Sequence, residues 1–407
     1  MSTINNPTCH IKMKLLIKTI VLLLVTLATS THVMGQMDEQ PALKVQTIWE
    51  IIAPYFSTPV EFKGKYGEYR SPLKFYNGRP VETSKDWKKR RNEILEHWNG
   101  KMGVWPPLIK KQKFEIIDSM RRDGFTQYKI RFYWIPDHKT EGYLLIPDGD
   151  GKKPAVITVY YEPETAVGLG KSDLTNRDFA YQLTKRGFVT LSIGTTQATK
   201  ASTYSLYYPS IKNAQVQPLS MLAYAAANEW YVLSEIPAVD SMRIGIMGHS
   251  FGGKWAMFAS CLFDKFACAV WSDAGIVFDE SQESVNYWEP WYLGYSSPPW
   301  RKRGMITNQN PAKGLYPKLF AEGYNLHELH ALMAPRPFLV SGGSEDTYKN
   351  WIPLNHTIAV NRLLGYENRV AMTNRSSHAP SPKSNEQAYL FFEYFLKQNE
   401  VTEKASK

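Results

Sequence analysis

The chain has 407 residues, 43% of them hydrophobic and 21% charged, and carries a formal net charge of +10. That composition excludes a disordered or fibrous state and suits one large globular core with additions. The basic excess forms no stripe and accompanies no recognition motif, so nucleic acid is not an expected partner. Its densest run, Lys88-Lys89-Arg90-Arg91, reads as the solvated face of a helix.

At the N-terminus, Lys14 and Lys18 lead into an apolar run over residues 20–28 that gives way to small and polar residues. A positive start, a short apolar stretch and a small-residue exit predict a cleaved signal peptide over residues 1–35, with Met13 an alternative start and residue 30 an alternative exit. The run is too short to span a bilayer, so no stable membrane anchor is expected. Residues 1–35 contain three lysines and no acid, so their removal lowers the formal charge from +10 to +7. The mature chain is expected to be secreted or periplasmic, and its charge suits either an anionic glycan partner or solubility alone. Cys261 and Cys268 both lie in apolar surroundings and read as buried free thiols.

Residues 36–110 read as a helical extension. Trp87, Ile94, Leu95 and Trp98 recur at helical spacing, with Asn99-Gly100 and Trp105-Pro106-Pro107 as stop signals. From about residue 114 the period changes, and residues 128–134 alternate as a half-buried strand with 142–146 as hairpin partner. Apolar strands follow at 155–160, 188–193, 243–247, 266–271, 337–341 and 369–373. Helices are expected at 178–186, 217–234, 254–263, 358–364 and 388–397. This alternation over residues 111–400 predicts an α/β fold, a mostly parallel sheet with helices on both faces. The stretch 273–330 is then an insertion over the carboxyl edge of the sheet, where ligands bind.

The chemistry is announced by Gly248-His249-Ser250-Phe251-Gly252, set between an apolar strand and a helix-forming run. G-x-S-x-G at such a junction is a nucleophile elbow, whose tight turn lifts the serine hydroxyl above the sheet at a helix N-terminus. A serine needs a base, and the base needs an orienting carboxylate. With chain order Ser, acid, His, the acid is expected at Asp346 in Gly343-Ser344-Glu345-Asp346, with Glu345 and Asp273 as alternatives, and the base at His378 after the last strand. Two backbone N–H groups should form the oxyanion hole: Phe251, after the nucleophile, and Tyr161, after the first parallel strand. Glu162 in that loop and the rings of Trp271, Trp288 and Trp291 are candidate substrate contacts, the rings suiting sugar faces or a packed cap equally. Arg301-Lys302-Arg303 reads as a solvated loop or a uronate partner. His327 and His330 sit three apart without a third ligand, so no metal is expected, and the chemistry needs no cofactor.

These residues resemble a family. Gly248 to Gly253, Tyr324-Asn325-Leu326-His327-Glu328-Leu329-His330, Ala334-Pro335-Arg336-Pro337 and Ser344-Glu345-Asp346-Thr347 are similar to segments of the bacterial α/β-hydrolase carbohydrate esterases, near the glucuronoyl methylesterases and acetyl xylan esterases. Residues 98–107 are similar to their entry segment, and the likeness extends over residues 87–396. It implies an α/β-hydrolase fold and a secreted esterase acting on polysaccharide side groups, with a carbohydrate ester as substrate. One departure stands out. Glucuronoyl esterases typically carry arginine directly after the nucleophile, where this chain has Phe251, so a uronate methyl ester and an O-acetyl ester stay open.

Overall fold

A computed structural model describes residues 47–170, 174–195, 205–282, 290 and 292–397. Two compact units divide the chain, residues 1–47 and 48–407, and the second carries the elements below. The expected signal peptide lies outside the described residues. Among the described residues, no helix is long and apolar enough to cross a membrane.

Nine strands form one sheet: β1 (Glu115–Arg122), β2 (Phe125–Ile135), β3 (His138–Pro147), β4 (Lys153–Tyr160), β5 (Val189–Gly194), β8 (Val239–His249), β9 (Ala269–Ser272), β10 (Phe338–Gly342) and β11 (Val370–Asn374). A separate hairpin pairs β6 (Tyr208–Ser210) with β7 (Asn213–Val216). The sheet order is β1-β2-β3-β5-β4-β8-β9-β10-β11. The first three strands pair antiparallel, as does β3 with β5, and the remaining six run parallel. This is the α/β-hydrolase fold.

The apolar strands are continuous because both faces are covered. Ile157, Val159, Ile246, Ala269, Trp271, Phe338 and Val340 join one core. Val156, Met247, Val270 and Leu339, one residue out of phase, join the other, as the period of two demands. Helices α5 (Pro218–Ser234) and α6 (Phe251–Leu262) bury most of their residues in the first core. Helices α4 (Phe179–Lys185) and α10 (Pro382–Phe392) supply Phe179, Leu183, Ala388, Phe391 and Phe392 to the second. Short helices α1 (Ile48–Ile52), α3 (Pro163–Ala166), α7 (Tyr316–Ala321) and α8 (His327–Ala331) and the helix α9 (Trp351–Leu363) complete the set. Helix α9 begins seven residues before the expected 358 because Pro353 sits in its first turn, where no intrahelical N–H is needed. Cys261 and Cys268 are buried and unpaired with each other, and burial pushes both thiols up.

Helix α2 (Ser84–Met102) starts at Thr83, whose hydroxyl accepts from the Asp86 N–H at 3.0 Å. It runs through Asn99-Gly100 and stops at Gly103, whose φ of +92° suits glycine and where a Cβ would lie 2.1 Å from the Gln215 carbonyl oxygen. Trp87, Arg90, Ile94, Trp98 and Met102 are buried, one stripe of the helix. Arg90, placed by the sequence on a solvated face, is instead fully buried. Its guanidinium reaches Glu93 at 2.6 Å and Glu328 of α8 at 3.4 Å. Glu328 also accepts from Trp98 Nε1 at 3.1 Å and Tyr76 Oη at 3.2 Å. Removing one partner of a buried ion pair leaves the other charge unpaired and costs about 3–5 kcal/mol. Glu328→Ala is therefore expected to lower unfolding free energy by that amount in a denaturant titration, and an unchanged midpoint would show that this contact carries no stability.

Candidate active site

Strand β8 ends at His249 and α6 begins at Phe251, leaving Ser250 alone in the turn with φ 57° and ψ −118°. A non-glycine residue held there costs on the order of 1–3 kcal/mol and persists only where its surroundings over-determine it. They do so here. The Ser250 N–H donates to the Ser272 carbonyl at 2.8 Å, and its carbonyl accepts from Lys254 N–H at 3.0 Å. A Cβ on Gly252 would stand 2.0 Å from the Val159 oxygen, and one on Gly248 2.2 Å from the Gly252 oxygen. Only glycine lets α6 meet β4 this closely.

Ser250 Oγ lies 2.8 Å from His378 Nε2, and His378 Nδ1 lies 2.7 Å from Asp273 Oδ2. The carboxylate at the histidine is thus that of Asp273, not that of the expected Asp346. The reason is a reciprocal exchange between two loops. Asp273, with φ 47° at the end of β9, turns its carboxylate toward the loop after β10 and accepts from the N–H groups of Glu345 (3.2 Å) and Asp346 (2.9 Å). Asp346 turns the opposite way. Its carboxylate accepts from Gly275 N–H at 2.9 Å, Ile276 N–H at 2.7 Å and Asn350 Nδ2 at 2.8 Å. Asp346 is fully buried, and burial followed by the neighbouring Asp273 charge pushes it up to about 6. Lys254 lies close by in α6 and donates to the Gly275 carbonyl, while burial pulls it down to about 7 against the attraction of Asp346 and Glu345.

His249 is held inside the elbow, its Nδ1 3.2 Å from both the carbonyl and the hydroxyl oxygen of Ser272. Burial, then the nearby His378 and Arg375, hold it well below the usual imidazole range, so it stays neutral beside the site. The rings of Phe251 and Tyr161 stack 4.7 Å apart, which sets the end of β4 against the start of α6. Glu162 is half-buried at the N-cap of α3.

Trp271 is not a substrate contact. It is fully buried, stacked 4.2 Å from Phe338, with Nε1 donating to Ser260 Oγ at 3.1 Å. It lies in β9, whose register turns it into the core, and the aromatic count of the sequence carries no such direction. Trp288 and Trp291 lie outside the described residues. Of the other insertion rings, Tyr292 is buried against Phe251, and Tyr295 bonds the β6–β7 hairpin through Ile211 and Ala214. Arg301 donates to the Gly304 carbonyl at 2.8 Å. His327 is buried with Nε2 2.6 Å from the Arg70 carbonyl, and burial pulls it down to about 3. No group of three or more His, Cys, Asp or Glu able to hold a metal occurs among the described residues. A cavity of about 650 Å³ borders the His378 loop, with Tyr55, Tyr348, Trp351, Arg375 and Ser376 in its wall.

Two residues that sequence reasoning passed over shape the site. A Cβ on Gly343 would fall 2.4 Å from the Ser377 oxygen and 2.6 Å from Asp273 Oδ2. A Cβ on Gly342 would fall 2.2 Å from the Asp346 oxygen. The paired glycines after β10 are the signal that a carboxylate and a second loop close in there. A displacement of about 1 Å at such a site costs on the order of 10²-fold in reactivity. Gly343→Ala is expected to slow labelling of Ser250 by a fluorophosphonate probe by that factor, and labelling at the native rate would show that Asp273 does not need this approach.

Two family models match. That of the prolyl oligopeptidase family matches residues 224–400, and that of an abhydrolase family matches residues 70–258. Among curated proteins, none matches the chain significantly. Among solved structures, the chain is similar to a glucuronoyl esterase from Solibacter usitatus, with 18% identity and a TM-score of 0.64 over 81% of this chain and 97% of that one. A promiscuous CE15 esterase from a marine bacterial metagenome aligns at 16% identity and a TM-score of 0.60, covering 84% and 100%. A putative acetyl xylan esterase from Bacteroides fragilis aligns at 16% and 0.51, covering 81% and 82%.

Proposed function

We propose that the protein is a secreted or periplasmic serine carboxylic-ester hydrolase that removes side-group esters from polysaccharides. The observation that carries this reading is the hydrogen-bonded chain Ser250–His378–Asp273, with links of 2.8 and 2.7 Å. His378 Nε2 takes the Ser250 proton as Oγ attacks the ester carbonyl, and Asp273 stabilises the imidazolium and holds its tautomer. The tetrahedral oxyanion is received by the N–H groups of Phe251 and Tyr161. His378 then protonates the leaving alcohol, and water, activated by the same imidazole, releases the acid from the acyl-enzyme. Asp346 has a structural part in this scheme, holding the loop that follows Asp273.

The substrate class rests on the structural likeness to carbohydrate esterases. Phe251 offers a buried ring where glucuronoyl esterases typically have a cation, so no cation stands directly after the nucleophile and the oxyanion is assigned to the backbone N–H groups. An O-acetyl and a uronate methyl ester are the two substrates to compare. The match of residues 224–400 to the prolyl oligopeptidase family favours, as a second reading, hydrolysis of a peptidyl amide.

The test is turnover of an aryl acetate, acetylated xylan, a methyl glucuronate ester, methyl-esterified pectin and a peptidyl-proline anilide. Ester turnover that vanishes in Ser250→Ala is the expected result. Turnover of the anilide alone would establish the peptidase, and inactivity on every substrate would remove the enzyme reading. Asp273→Asn is expected to lower kcat by about 10³–10⁴-fold, the scale for losing the acid of such a triad. Asp346→Asn should change kcat by less than about tenfold while lowering stability through its lost acceptor. The reverse ranking would return the acid to Asp346.

A further inference from the structure

We infer that Arg375 is a positioning residue, a clamp that sets His378 against both Ser250 and Asp273. It is the first residue after β11, and its side chain turns back beneath the histidine loop. Nε donates to the Ala379 carbonyl at 2.9 Å, and Nη2 to the His378 carbonyl at 2.7 Å and Ser272 Oγ at 3.4 Å. Nη1 donates to the carbonyls of Ser341 at 2.8 Å and Gly342 at 3.1 Å and to Ser341 Oγ at 3.2 Å. One guanidinium therefore ties together the ends of β9 and β10 and the backbone of His378. The Arg375 N–H adds a bond to the Gly342 carbonyl at 3.1 Å.

The geometry explains why the loop needs it. Residues 375–381 lie between β11 and α10 and carry no regular structure to hold them. The His378 side chain is 40% exposed, so packing alone does not set its direction. The ring must meet two partners at once, each across a single hydrogen bond. A planar fork of five donors suits several carbonyls at fixed angles, which an ammonium cannot reproduce. Burial holds the guanidinium below its usual range, against the attraction of Asp273 and Asp346 and with Arg177 adding to the lowering. Among the described residues, Arg375 makes no hydrogen bond to Ser250 or to the imidazole, so its action passes through the backbone of residues 378–379.

The kinetic arm of the test rests on the esterase reading, and the spectroscopic arm does not. Arg375→Ala and Arg375→Lys are compared with the native chain, labelled with ¹⁵N-histidine, for aryl acetate hydrolysis and for the far-downfield imidazole proton of the His378–Asp273 bond. Arg375→Ala is expected to lower kcat about 10²-fold, to leave KM within about twofold, and to lose that proton signal. Arg375→Lys is expected to recover no more than about a tenth of native kcat, because charge without the fork does not rebuild the contacts. Native kcat with the proton signal intact in Arg375→Ala overturns the inference. Should that variant fail to fold, Arg375→Lys decides alone: native kcat there overturns the clamp in favour of charge. If the native chain hydrolyses no ester, the proposed function falls, and loss or retention of the proton signal still supports or overturns the clamp.

Discussion

The close approach of α6 to the end of β4 is the constraint on which the site depends. Gly252 stands where any Cβ would overlap the Val159 carbonyl, and Gly248 sits against Gly252 across the turn. With helix and strand pressed together, Ser250 has only one place to go, and the positive φ it adopts is held by bonds to Ser272 and Lys254. Every other catalytic candidate is positioned relative to that hydroxyl. The strain resides in one residue, and the packing of two whole elements maintains it.

A second layer of order comes from the exchanged carboxylates. Asp273 bonds the backbone of the β10 loop, and Asp346 bonds the backbone of the β9 loop. Each loop therefore holds the other, and the third loop, after β11, is tied to both through Arg375. Three connections that would be free at a sheet edge become one hydrogen-bonded block. Burial of two acids and of Lys254 within that block is tolerated because each has backbone or amide partners.

The fold was legible in the chain because parallel strands buried on both faces leave uninterrupted apolar runs, and because the elbow motif marks one strand–helix junction without ambiguity. The encounter of Ser250 with His378 follows from the same logic, since a histidine after the last strand has one cleft to face. The acid was not legible. Asp273 and Asp346 both follow strands of the sheet, and which of them meets the imidazole depends on how two loops trade side chains, a matter of backbone direction that spacing does not record. Trp271 misled for a related reason. A residue near a strand's end points to the core or to the cleft according to register, and its aromatic character is compatible with both. Arg90 lay in a basic run whose lysines, Lys88 and Lys89, do face solvent, and the partner carboxylate that receives it in the interior lies 238 positions away.

The bond between Glu328 and the extension helix bears on how such chains can be cut and recombined. A boundary drawn where the strand pattern begins, near residue 110, looks natural on paper. Trimming there would remove Trp98, Tyr76 and Arg90 together and strand a carboxylate inside the protein. Chimeras that graft this hydrolase core onto another leader would meet the same difficulty unless residue 328 were changed with it. The extension and α8 are thus tied through one buried polar cluster, and a graft has to carry or replace both sides of it.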